Sequence, residues 1–229
     1  MTTLVITILP SIVIFCYFYF SDKFKEPKRT MAEVFLLGVA ATIPAGYLNN
    51  FIQKTFENGD VFNDALLTGF FAGGLVEEIL KFSVLYFFVV KKNEFNEPMD
   101  GIVYGVLASL GFATLENIEY VYFHADEYEV SSLSMALARA FSAVPMHGLV
   151  GVVMGFYFGL YSFLGDKKFI GYALVMPLLF HGSYNFLLSF NVLYAYGVLA
   201  ILLVYALKLH KHLKLKQSEK FLETEIKKI

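Results

Sequence analysis

Residues 65–90 read ALLTGFFAGGLVEEILKFSVLYFFVV. At about 1.5 Å per helical residue the run is long enough to cross a hydrocarbon core of about 30 Å. Its only charges, Glu77, Glu78 and Lys81, lie near its middle. A charge at the centre of a spanning helix costs about 2.5–3.5 kcal/mol or more, so three together need a reason. Adjacent carboxylates on a helix face directions about 100° apart. Lys81 follows Glu77 by four residues and Glu78 by three, spacings at which it pairs with either. The pattern predicts one carboxylate neutralised by Lys81 and the other turned into a cavity.

The rest of the chain repeats the apolar theme. Of 229 residues 57% are hydrophobic and 17% charged, against roughly 25% charged in soluble domains. Apolar runs bounded by polar clusters cover 3–20, 31–51, 65–90, 99–123, 132–165, 169–188 and 192–208. The expected fold is an all-α, polytopic membrane helix bundle of about seven spans. Residues 1–208 form one membrane domain, and 209–229 form a basic amphipathic tail on the inner leaflet. The fifth run is too long for one straight crossing. Pro145 is expected to break it and leave a short outer helix over 132–144. The first run lacks a basic leader and a small-residue cleavage site, so it reads as an anchor.

Basic residues orient the bundle. Lys23, Lys25, Lys28 and Arg29 follow the first run, Lys91 and Lys92 the third, and Lys167 and Lys168 the fifth; seven lysines lie from Lys208 onward. Of the 18 Lys and Arg, only Lys54, Lys81 and Arg139 fall elsewhere. The odd connections and the C-terminus are therefore expected in the cytoplasm and the N-terminus outside. A net charge of −2 offers no basic field for nucleic acid. The single cysteine, Cys16, excludes an internal disulfide and a cysteine zinc cluster.

Three further runs bring polar groups to a depth comparable with Glu77 and Glu78. The fourth carries Glu116 and Asn117, the fifth His147, and the sixth His181 with Asn185 one turn later. Small residues at four-residue spacing (Gly101 and Gly105; Gly151, Gly155 and Gly159) let helices approach closely and turn the polar faces inward. Together these groups supply a base, an orienting imidazole and oxyanion donors, enough to activate a water. Ser83, Ser109 and Ser142 read as packing residues, and no intramembrane aspartate pair exists. Asp100 suits an N-cap. Arg139, on the short outer helix, is free to snorkel to the surface. His124, His210 and His212 lie at membrane boundaries, where solvation is expected. As bland alternatives, a lone histidine packs or hydrogen-bonds, and a Glu–Lys pair locks two helices. Besides Lys81, five ionisable groups (Glu77, Glu78, Glu116, His147 and His181) on four helices near one depth argue for a functional centre.

The set Glu77-Glu78-x-x-Lys81, Phe112-x-x-x-Glu116-Asn117, His147 and His181-x-x-x-Asn185 resembles the PrsW family of bacterial membrane proteases. That family is related to the broader CAAX-protease and bacteriocin-processing superfamily. The resemblance covers essentially the whole chain. It implies Glu77 as general base and His181 with Asn185 as oxyanion group. Glu78, Glu116 and His147 would complete the catalytic set, with Lys81 and Asn117 in support. The Glu-Glu-x-x-Lys spacing, and Glu116-Asn117 in place of a histidine, depart from the CAAX enzymes and argue against prenylated substrates. The resemblance further implies a multi-pass protein of the bacterial cell membrane. Its expected partner, besides the bilayer, is a single-span anti-sigma factor, cut first on its extracytoplasmic side.

Two chemistries fit these residues. In the metal-free route, which superfamily analogy favours, Glu77 deprotonates a water and no cofactor is needed. In the other, zinc is held by His147, His181 and Glu78, and another glutamate acts as base. A proton-coupled transporter or a non-catalytic scaffold remains the non-enzymatic alternative.

Overall fold

A computed structural model describes the backbone of residues 1–226 and side chains through residue 219. The helices are α1 (Thr2–Ser21), α2 (Lys28–Phe56), α3 (Val61–Leu66), α4 (Glu78–Phe87), α5 (Pro98–Glu119), α6 (Ser132–Ala140), α7 (Ala143–Leu164), α8 (Lys168–Leu188) and α9 (Val192–Ile226). A π-helical stretch, Leu67–Glu77, joins α3 to α4, and a second, Tyr120–His124, extends α5. The fold is all-helical, and no strand occurs among the described residues. Five helical segments are long and apolar enough to cross a membrane: Thr2–Ser21, Lys28–Phe56, Pro98–His124, Ser132–Leu164 and Val192–Glu219. The two other expected spans correspond to α3–α4 and α8, the elements that carry Glu77, Glu78, Lys81 and His181.

Several local expectations are corrected. The fifth run breaks at Phe141–Ser142, between α6 and α7, before Pro145. Pro145 instead sits in the first turn of α7, where a missing N–H costs no helical hydrogen bond. Asp100 is not the N-cap of α5; Glu97 is, and Asp100 at the third helical position accepts its backbone N–H at 2.8 Å. His210 is buried, with its Nε2 2.7 Å from Ser21 Oγ. The tail does not begin as a separate element, because α9 runs unbroken past Lys208. His210, Leu213 and Gln217 are buried on one face of it. The rest of the expected amphipathic face, at Phe221, Leu222 and Ile226, lies outside the described side chains.

Connections gather at two ends. At one, Gln217 of α9 bonds the Lys23 backbone N–H at 3.0 Å and Asp22 Oδ1 at 2.6 Å, and also Glu97. Lys92 meets Glu33 there at 2.6 Å. At the other end, Phe62 stacks edge-on to Phe186, and Ile6 packs on Val121, Ala125, Met135 and Ala136.

Two helix pairs meet backbone to backbone. Along α5–α7 a Cβ on Gly155 would run into the Gly101 carbonyl, and one on Gly105 into that of Gly151. The π stretch meets α8 the same way. A Cβ on Gly69 would lie 2.9 Å from the Gly182 carbonyl oxygen and 2.8 Å from Phe186 N. Small-residue seams of this kind replace the hydrophobic driving force that is absent between helices in lipid. They also carry the polar residues: Glu77 and His181 ride on one pair, Glu116 and His147 on the other.

Candidate active site

The helix bearing the glutamates changes its winding at the functional residues. Hydrogen bonding is of the i→i+5 kind up to Glu77 and α-helical from Glu78 onward. Such stretches are rare and concentrate at functional sites. Glu77, Glu78 and Lys81 are all buried, Lys81 completely.

Lys81 is the hub. Its Nζ lies 2.8 Å from Glu78 Oε1, 3.4 Å from Glu77 Oε2 and 2.9 Å from His147 Nδ1, with the Phe112 ring centroid 4.2 Å away. The expected pairing is present, but with both carboxylates at once. An ammonium only donates, so His147 Nδ1 accepts and its Nε2–H points to Glu116 Oε2 at 3.1 Å. His181 Nδ1 lies 2.7 Å from Glu78 Oε1, and a carboxylate only accepts, so the proton is on Nδ1. In the neutral form of the ring that bond leaves Nε2 as the lone pair, 4.0 Å from Glu77 Oε2. The two rings stand edge to face, with centroids 4.9 Å apart.

Glu116 is held on its far side by Arg139. Nη2 of Arg139 donates to Glu116 Oε2 at 2.5 Å and Nε to Asn117 Oδ1 at 2.8 Å. The guanidinium lies 4.0 Å from the Tyr120 ring centroid. Arg139 thus does not snorkel away; α6 folds back and delivers it to the polar centre. Asn117 faces outward from that centre and donates to the Thr7 carbonyl at 2.8 Å. Asn185 stands one turn beyond His181, its amide packed against Gly73 of the π stretch. Asn49 of α2, absent from the expected set, donates to Glu77 Oε1 at 3.3 Å.

Ligand atoms of Glu77, His147 and His181 all lie within 4.8 Å of one another. The carboxylate in this trio is Glu77, whereas the expected zinc set had Glu78. Glu78 instead holds the back of His181, since adjacent helical positions face directions about 100° apart. Two imidazoles and a carboxylate are a donor set of catalytic zinc sites. A carboxylate on the outer nitrogen of a ligating histidine is the usual support. The residues fit such an ion once Lys81 Nζ, 2.9 Å from His147 Nδ1, yields that nitrogen.

A sequence model of PrsW family intramembrane metalloproteases matches residues 26–209. The chain belongs to that family. Among relatives, Protease PrsW of Bacillus subtilis (strain 168) is 40% identical over 186 residues, 80% of each chain. Protease PrsW of Geobacillus kaustophilus (strain HTA426) is 36% identical over 184 residues, 79% of this chain and 77% of that one. The Clostridioides difficile (strain 630) protein of the same name is 30% identical over 188 residues, 80% and 77% of the two chains. No solved structure is a significant match. Membership in the PrsW family makes the chain a membrane-embedded, multi-pass peptidase.

Proposed function

We propose that this PrsW family member hydrolyses a peptide bond of a single-span membrane protein at the Glu77–His147–His181 trio, with a divalent ion, zinc by donor chemistry, held there. The observation that carries the reading is the 2.7 Å bond from His181 Nδ1 to Glu78. It leaves Nε2 as a lone pair facing Glu77, which suits a metal ligand and does not suit an oxyanion donor. When bound, the ion supplies Lewis acidity, polarising a carbonyl and letting water ionise near neutral pH. Glu78 fixes the tautomer of His181, and Glu116 that of His147. Lys81 holds Glu78 in place at 2.8 Å. Glu78 Oε2 is buried without a hydrogen-bond partner, and accepts the proton that the attacking water gives up. Asn185 offers amide hydrogens beside His181 for the carbonyl oxygen of the tetrahedral stage.

A metal-free route with Glu77 as base is favoured by one contact, Lys81 Nζ at 2.9 Å from His147 Nδ1. There the centre already holds its own cation. Elemental analysis separates the two routes. Stoichiometric zinc, with cleavage lost on chelation and regained on adding Zn²⁺, is expected; full activity in a strong chelator without zinc would establish the metal-free route.

The bundle is proposed to cross the membrane seven times with its N-terminus outside. Connections 22–27 and 88–97 and the later part of α9 share one end, and that end carries the basic residues. The site lies towards the opposite end, where Asn117 reaches Thr7. This supports an extracytoplasmic cut in an anti-sigma-type substrate of the bacterial cell membrane. A reporter fused after Ile229 should behave as cytoplasmic; periplasm-type activity there would refute the topology.

A further inference from the structure

Asn49 stands in the apolar helix α2, where a polar side chain needs a partner. Ala41, Ala45 and Asn49 follow one another at four-residue steps and form one stripe. Ala41 and Ala45 pack with Phe112 against Val76 and Leu80, the apolar neighbours of the glutamates. The next step on that stripe delivers Asn49 to Glu77, whose Oε1 accepts from Nδ2 at 3.3 Å. A carboxylate accepts only, so the amide orientation is set with Nδ2 towards Glu77. Asn49 Oδ1 is then left buried with no hydrogen-bond partner. A buried acceptor without a donor costs about 1–3 kcal/mol.

A spanning substrate supplies the missing donor. Its peptide bond is reachable only where the helix is unwound, and unwinding frees backbone N–H groups that must be satisfied within the membrane. We infer that Asn49 positions Glu77 through Nδ2 and binds a backbone N–H of the unwound substrate through Oδ1. This rests on the peptidase reading above and extends it to a subsite on α2. A stretched substrate would then lie between α2 and the π stretch, its scissile carbonyl directed to the trio and one N–H tied to Asn49.

The test compares purified full-length protein with Asn49→Leu, close in size but without either polar group, and with Asn49→Gln, which keeps both. Zinc affinity is measured by chelator competition. KM is measured on a fluorescence-quenched, 24-residue Ala/Leu single-span peptide in vesicles. Asn49→Leu should bind zinc about tenfold more weakly, as expected for a lost partner of a ligating carboxylate. It should also raise KM several-fold at an unchanged melting temperature, and Asn49→Gln should recover most of both. Should the leucine variant fail to fold, Asn49→Ser takes its place. Wild-type zinc affinity together with wild-type KM in the variant overturns the inference. So does a loss confined to kcat. If the parent protein takes up no zinc, the metal reading falls and KM alone decides Asn49. If the parent leaves the peptide uncut, the peptidase reading falls and zinc affinity alone decides.

Discussion

Two buried polar clusters occupy opposite depths of this bundle and are held together by different means. In the site, Glu77, Glu78 and Glu116 meet the cations Lys81 and Arg139 and two imidazoles at 2.5–3.4 Å. At the basic end, Asp22, Glu26, Glu97 and Asp100 are also buried. Their donors include neutral groups: Gln217 to Asp22 and Glu97, Tyr104 to Glu26, and backbone N–H groups of Asn96 and Glu97 to Asp100. Cations and rings in a dry centre fix the direction of the carboxylate lone pairs, which is what chemistry requires. Neutral donors between the α1–α2 connection, α5 and α9 tie elements together, and there a proton more or less is tolerated. The first cluster is organised for reaction, the second for attachment.

The sharpest way to break this distinction is Glu77→Gln. Peptide cleavage should fall by about 10³-fold, because an amide replaces the ligating carboxylate or, on the metal-free route, the base, whose loss costs about 10²–10⁴-fold, while the melting temperature moves little. Retained cleavage in that variant would remove Glu77 from the centre. Next in size is Arg139→Leu, which leaves Glu116 with His147 alone. Breaking a buried pair from one side costs about 3–5 kcal/mol, so denaturant unfolding in detergent should show that loss together with reduced turnover. A change near zero would mean that Arg139 is solvated after all.

The smallest effect belongs to the attachment cluster and depends on pH. Burial first, and then the neighbouring Asp22 and Glu97, hold the Glu26 carboxyl above its usual value, against hydrogen bonds from Tyr104 and Asp100 that lower it. The folded protein therefore holds this proton more tightly than the unfolded chain. The stabilisation is complete below the unfolded value of about 4.5 and is lost as pH rises through the folded one. Glu26→Gln cannot ionise and should flatten the decline of melting temperature as pH rises above about 4.5, with cleavage unaffected. Parallel pH curves would show that Glu26 carries no such proton.

Much of the site was legible because the bilayer makes ionisable side chains conspicuous. Glu77, Glu78, Lys81, Glu116, His147 and His181 all stood in apolar runs, and all converge. The glycine steps on α5 and α7 likewise announced a close seam. What stayed hidden followed from features without a residue signature. An i→i+5 stretch has no propensity pattern, so which carboxylate joins the histidines was not readable. Arg139 sat on a short outer helix, where an arginine ordinarily reaches water, and only the turn at Phe141–Ser142 sends it inward. Asn49 is hidden among polar neighbours, Asn50 and Gln53, near the end of an apolar run. The Ala41–Ala45 step was the signal that could have singled it out.

The glycine seams have a mechanical consequence for the trio. Main-chain contacts have no rotamers with which to yield, so each seamed pair, the π stretch with α8 and α5 with α7, moves as a solid strut. Glu77 and His181 belong to one strut and His147 to the other. Any closing of the trio about an ion would therefore add a sliding of struts past each other to the turning of its side chains. A staple within either strut should leave that travel free, whereas a staple between them would set it like a stop on a vice.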